Sequence, residues 1–238
     1  MQKECYNIFM MKEMEFYESL IREKHGEAFA LYRELLLEYN EKYNLTTILE
    51  EKDMFYKHFV DSVAGESFFK PNARVAEIGS GAGFPSIPLK IVRPDLSFDL
   101  FESVGKKCEF LKVVVDKLGL SNVHIYNLRA EEGARDCKHR ERYDYATARA
   151  VARMNTLSEY CLPFVKVGGA FIAYKSGETE EIEEAKTAYK TLGAKLVKVE
   201  KYALGENYGE RSIAVVEKVK NTPSRYPRGQ GRERKQPL

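Results

Sequence analysis

The chain has 238 residues, 44% hydrophobic and 31% charged, with a formal net charge of +2, which suits one sizeable core and falls short of two full domains. This composition excludes a fibrous or disordered protein, and no uncharged run approaches the roughly 18 residues of a membrane helix. The first twenty residues hold four glutamates and no apolar stretch long enough for a secretion signal, so a cytoplasmic location with no membrane partner is expected.

Residues 1–68 read as helices. Met10, Met14, Tyr17 and Ile21 repeat weakly at helical spacing, and Ala28, Leu31, Tyr32, Leu35, Leu36, Tyr39 and Tyr43 form a stronger apolar face. After "YNLTT", Phe55, Phe59, Ser62 and Val63 predict a third short helix. The segment has no strands, so it must pack on the remainder of the chain.

From residue 73, short apolar strands alternate with helical stretches, the pattern of a parallel sheet with helices on both faces. Strands are predicted at 73–79, 96–103, 122–128, 143–149 and 170–175, the last preceded by a helix ending at Gly168 and Gly169. Pro85 and Pro88 suit the first turn of the helix after strand one. A helix from Lys106 to Leu118 stops at Gly119, and Ile182, Ala185, Tyr189 and Leu192 predict another. Strands at 195–204 and 211–219 succeed each other without a helix, so a terminal hairpin should turn the last strand antiparallel.

The expected fold is therefore α/β, a Rossmann-like sheet of seven strands, mainly parallel with an antiparallel last strand. This is the class I S-adenosylmethionine methyltransferase arrangement, here with an N-terminal helical extension. Three regions are expected: helical segment 1–68 packed on the core, methyltransferase core 69–219, and basic tail 220–238. Cys5, Cys108, Cys137 and Cys161 are too scattered for a metal knuckle or redox pair, so no metal is expected and the thiols read as buried and free. Residues 218–238 hold seven basic residues against one acidic, which suggests a polyanionic partner or else a solubilising terminus.

"VAEIGSGAGFP" (75–85) asks what the bare loop binds. Glu77 precedes Gly79, Ser80, Gly81 and Gly83, and glycines in the first βα turn let a ligand approach the backbone. The third dinucleotide glycine would fall on Phe84, and no Gly-Lys-Ser/Thr is present after it, so both phosphate fingerprints fail. A cofactor with ribose and adenine but no phosphate remains, which is S-adenosyl-L-methionine. Glu102, with Ser103 beside it, ends strand two where an acid can accept both ribose hydroxyls. Ala130 and Glu131 come just after strand three, where an adenine edge would lie. Arg149 ends strand four at the same crevice. Each also has a plain structural role, Glu131 for example as an acid at a helix N-terminus.

With "YNEKYNLTTI", "KHFVDS", "EIGSGAGFPSIPL", "ESVGKK", "RAEE", "ARAVA", "LPFVKVGG" and "YPRGQGRERKQPL", the chain from about residue 28 to its end resembles the RsmG (GidB) family of bacterial 16S ribosomal RNA guanine-N7 methyltransferases. The resemblance implies that Gly79, Phe84, Ala130, Glu131 and Arg149 contact the cofactor, and that the partner is 16S rRNA or the small ribosomal subunit. Ser86, Val167 and Tyr39 depart from residues common in the family, and Ser86 bears on the loop. A monomer is expected.

Guanine N7 has a free lone pair and no proton, so the transfer needs alignment rather than a general base, and none is named. N7 lies in the narrow groove of A-form RNA, so the base must be unstacked and its phosphates held by cations. Lys57, His58, Lys175, Arg225, Tyr226, Arg228, Arg232, Arg234 and Lys235 are the RNA-binding candidates. Arg149, beside a base turning cationic, is assigned instead to the cofactor carboxylate or to ordering the site. Competing readings are a methyltransferase of a protein or small molecule and a non-catalytic RNA-binding or cofactor-sensing module. A nicotinamide oxidoreductase is disfavoured by Phe84.

Overall fold

The computed structural model describes residues 14–177, 179–205 and 207–238. Met10 and Cys5 lie outside them. Helix α1 (residues 14–19) widens into a π-type turn over Leu20–Lys24 and leads into α2 (Gly26–Tyr43). α2 buries Phe29, Tyr32, Leu35 and Leu36 along one face and ends where Asn44 turns left-handed at φ 51°, a conformation asparagine tolerates better than most residues. The third helix starts earlier than Phe55 because the Glu50 carboxylate accepts the Asp53 N–H at 2.8 Å and caps it. It runs as α3 (Glu51–Met54), a wider turn Phe55–Val60, and α4 (Asp61–Val63).

Then come β1 (Arg74–Ile78), α5 (Ser86–Val92), β2 (Ser97–Phe101), α6 (Gly105–Lys117), β3 (Val123–Tyr126), α7 (Ala130–Gly133) and β4 (Tyr143–Arg149). α8 (Met154–Cys161), β5 (Val165–Ser176), α9 (Glu180–Glu184), α10 (Lys186–Thr191), β6 (Ala194–Ala203), β7 (Glu210–Lys218) and α11 (Arg232–Lys235) complete the chain. Among the described residues the strands form one sheet of seven in the order β3-β2-β1-β4-β5-β7-β6. β7 is antiparallel to both neighbours, so β6 runs with the parallel strands and the β6–β7 tip shares their carboxyl edge.

Side chains alternate along the strands, and the two faces feed two cores. Ala170, Ile172 and Tyr174 of β5 join the core with Tyr32, Phe59, Phe84 and Phe110, whereas Phe171 and Ala173 join the one with Leu157, Tyr189 and Val216. The N-terminal helices thus cover one face, joined to it by Tyr32, whose hydroxyl donates to Ala82 O at 2.6 Å, and by Tyr174, whose hydroxyl donates to Ser62 O at 2.9 Å.

Three expectations are corrected. Gly168 and Gly169 lie inside β5 rather than at a helix end, because the β4–β5 register shifts there and a Cβ on Gly169 would stand 2.3 Å from Asp144 O. The helix expected over 178–192 is split in two at Ala185, whose ψ of 8° leaves the helical range. Cys108 and Cys161 are buried and free, but Cys137 is exposed.

Candidate functional site

The first turn after β1 is built from three left-handed glycines that serve different ends. Gly79 (φ 69°) has no room for a Cβ, which would meet Val151 Cγ2 at 2.8 Å, and Gly83 (φ 97°) would press one to 2.5 Å from Ile87. A Cβ on Gly81 (φ 57°) would meet Gly79 O at an ordinary 3.9 Å, so only its backbone conformation asks for glycine. Gly79 and Ser80 donate their N–H groups to Phe101 O at the end of β2, and Gly83 N–H donates back to Ser80 O. The Glu102 carboxylate braces the loop, accepting Gly81 N–H at 2.9 Å on one oxygen and Val104 N–H at 2.8 Å on the other. A carboxylate has about four acceptor positions, which leaves roughly two for a ribose diol.

The loop opens on a cavity of about 710 Å³ at the carboxyl edge of the sheet, where open α/β sheets bind ligands. Gly79, Ser80, Gly81, Phe84, Glu102, Ser103, Lys57, His58, Arg149 and Lys175 all line it. Glu77 and Gly83 stand behind this wall. Glu77 is fully buried; its carboxylate lies beside Ser86 but completes no well-formed hydrogen bond. Burial pushes it up to about 8, against the opposing pull of Ser86 and Arg149.

His58 stacks on Phe84 at 4.3 Å between ring centres, and the Arg149 guanidinium lies 4.9 Å from the same ring. Arg149 donates to Asp61 at 2.8 Å, Lys57 O at 3.2 Å and His58 Nδ1 at 3.2 Å. Arginine can only donate, so Nδ1 accepts and Nε2 carries the proton, donated to Thr46 Oγ1 at 2.8 Å. Burial, then the Arg149 charge, push His58 down to about 3. Thr46 is placed in turn by Asn40, whose side-chain oxygen accepts the N–H groups of Leu45 and Thr46 at 2.7 and 2.8 Å. "YNLTT" is therefore more than a break between helices; it sets the tautomer of a wall residue.

Lys57 is paired with Asp53 and Lys175 with Glu181, each at 2.6 Å. Asp61, Thr46, Tyr174, Lys107 and Arg211 also line the cavity and were not among the sequence candidates. Asp61 was within reach, since it lies three residues from His58 and so on the same helical face. Arg211 and Tyr174 come from strands whose facing no local pattern reveals.

Ala130 and Glu131 are not brought to this cavity. They open α7, and Glu131 lines a second cavity of about 690 Å³ with Arg129, Arg135 and Arg232. The tail is docked rather than free. Arg228 pairs with Glu159, which is 0% exposed, at 2.7 Å, because a buried carboxylate needs a partner. Tyr226 is 6% exposed, so its ring is no open stacking platform. Arg140 holds Thr222 O and Tyr226 O, and Arg135 holds Pro227 O and Arg228 O. Lys218 is buried too, bonded to Leu162 O and Val165 O and pushed down to about 8 by burial. Arg225, Arg232, Arg234 and Lys235 remain exposed.

The family described as rRNA small subunit methyltransferase G matches residues 25–213. The chain belongs to that family. It is 48% identical over 221 residues to the ribosomal RNA small subunit methyltransferase G of Brevibacillus brevis, covering 92% of this chain and 93% of that protein. The namesake from Lactobacillus acidophilus is 46% identical over 224 residues, with 92% and 93% covered. Among solved structures, M. jannaschii TYW2 in complex with AdoMet superposes with a TM-score of 0.55 at 16% identity, covering 73% of this chain and 80% of that one. An O-methyltransferase of Thermotoga maritima gives 0.54 at 16% identity, with 75% and 69% covered. At that identity the two structures speak for the fold alone. Among the described residues no helix is long and apolar enough to cross a membrane, and no cluster of side chains is arranged to hold a metal.

Proposed function

We infer that this chain is an S-adenosylmethionine-dependent methyltransferase that modifies N7 of a guanine in small-subunit ribosomal RNA. Family membership supports the methyl donor and the RNA. The N7 reading rests on one observation: among the described residues, no side chain lining the cavity is left free to act as a general base. The His58 lone pair is taken by Arg149, Asp61 is engaged by Arg149 and Tyr202, and Glu102 is held by two backbone N–H groups with its remaining acceptor positions assigned to the donor's ribose. Such a site suits a nucleophile with no proton to lose, and guanine N7 is one.

In this reading Gly79, Ser80 and Gly81 give the donor close access to the backbone, and Glu102 and Ser103 meet its ribose. The adenine would extend from there toward Ala130 and Glu131, since Asn127 in the β3–α7 connection already donates to Glu102 O at 2.9 Å. Phe84 and His58 form the flat wall, and Arg149 orders it by tying β4 to residues 57–61. Glu77, buried behind the loop, does not line the cavity that would hold the donor. The donor supplies the activated methyl; the protein supplies alignment and water exclusion. The target base is unstacked to enter, with its phosphates held by Lys57, Lys175 and the exposed tail cations.

The test is transfer of labelled methyl to isolated small subunits and then nucleoside analysis. The expected product is 7-methylguanosine. A different methylated nucleoside would remove the N7 reading, and label appearing only in protein would remove the RNA reading as well.

A further inference from the structure

Among the described residues, the cavity is walled by five cationic side chains, Lys57, Lys107, Arg149, Lys175 and Arg211, against two carboxylates, Asp61 and Glu102. That balance is unfavourable for a ligand whose reacting centre is a sulfonium cation. Lys57 and Lys175 have carboxylate partners of their own in Asp53 and Glu181. Arg149 and Arg211 share one, Asp61, at 2.8 and 3.8 Å. Asp61 is 4% exposed, and its other oxygen accepts the Tyr202 hydroxyl at 2.8 Å. It is thus held at the cavity wall by groups from β4, β6 and β7, although it comes from the N-terminal helices. Glu77 sits behind the loop, protonated at neutral pH by its burial, and so adds no compensating charge.

We propose that Asp61 is the counter-charge through which this cavity distinguishes the cationic methyl donor from the neutral thioether left after transfer. It neutralises Arg149 and offsets Arg211. The donor's sulfonium then meets a wall whose positive charge Asp61 has largely cancelled, whereas the product, having lost its sulfonium charge, binds with little dependence on Asp61. One unit charge acting at about 8 Å in a partly wet site corresponds to roughly a ten-fold change in affinity for a cation and almost none for a neutral ligand. The proposal rests on assigning this cavity to the donor.

The experiment is calorimetric titration of the full chain with S-adenosylmethionine and with S-adenosylhomocysteine. In Asp61→Asn, donor affinity should fall about ten-fold more than product affinity, while Asp61→Glu should keep the ratio within about two-fold of wild type. Arg149→Gln should move the ratio the opposite way, and Asp61→Asn with Arg149→Gln should return it toward wild type. Equal losses for both ligands in Asp61→Asn would mean that Asp61 only braces Arg149 and would overturn the proposal. If Asp61→Asn does not fold, Arg149→Gln decides: an unchanged ratio there overturns it equally. Wild-type protein binding neither ligand would instead remove the assignment of the cavity.

Discussion

Glu77→Gln should stabilise the protein at pH 7 relative to its effect at pH 5. Glu77 is fully buried in β1, its carboxylate has no well-formed hydrogen bond, and its pKa is raised to about 8 from an ordinary value of 4.5. Burial is the main cause, because removing the ion from water disfavours it. In the unfolded chain the same group ionises near its ordinary value. Folding must therefore keep a proton on Glu77 that the unfolded chain releases, so stability is full below pH 4.5 and declines as pH rises to 8. Taking those two values, the linkage relation gives a loss of about 2 to 3 kcal/mol between pH 5 and 7. Glutamine has the same shape and cannot ionise, and the cost of its buried amide is the same at both pH values. Urea unfolding of wild type and variant, without cofactor, at pH 5 and 7 measures the difference directly. If Glu77→Gln shifts stability equally at the two pH values, the ionisation of Glu77 does not couple to folding and its burial does not hold the proton.

Glu102→Ala should weaken donor binding by about 1 to 3 kcal/mol, since it removes the proposed ribose acceptor and the brace on Gly81 and Val104; equilibrium dialysis showing unchanged affinity would exclude the ribose role. Arg228→Ala leaves Glu159 buried and uncompensated, so chemical denaturation should show a loss of about 3 kcal/mol with donor affinity little altered. Replacing Arg225, Arg232, Arg234 and Lys235 together by glutamine should preserve the fold and reduce RNA binding with a shallower salt dependence. Equal binding across a salt series would assign these cations to solubility alone.

Much of the fold could be read from the chain by itself. The change from helical to strand-and-helix periodicity near residue 73, and two final strands with no helix between them, specify a doubly covered sheet with a reversed last strand, because those periods record which faces are buried. The glycine spacing around Phe84 likewise excluded a phosphate cradle, since local backbone room is a local property. What the sequence does not contain is which distant groups share a charge or a hydrogen bond. Gly168 and Gly169 resemble a helix end until β4 is placed beside them, and Arg228 and Tyr226 resemble an RNA-binding tail until Glu159 is found buried beneath. The state of the site was decided the same way. His58 is neutral, Glu77 protonated and Asp61 the shared partner of two arginines only because the N-terminal helices fold across the carboxyl edge and remove these groups from water. Burial and pairing set their charge, and both are properties of the tertiary structure.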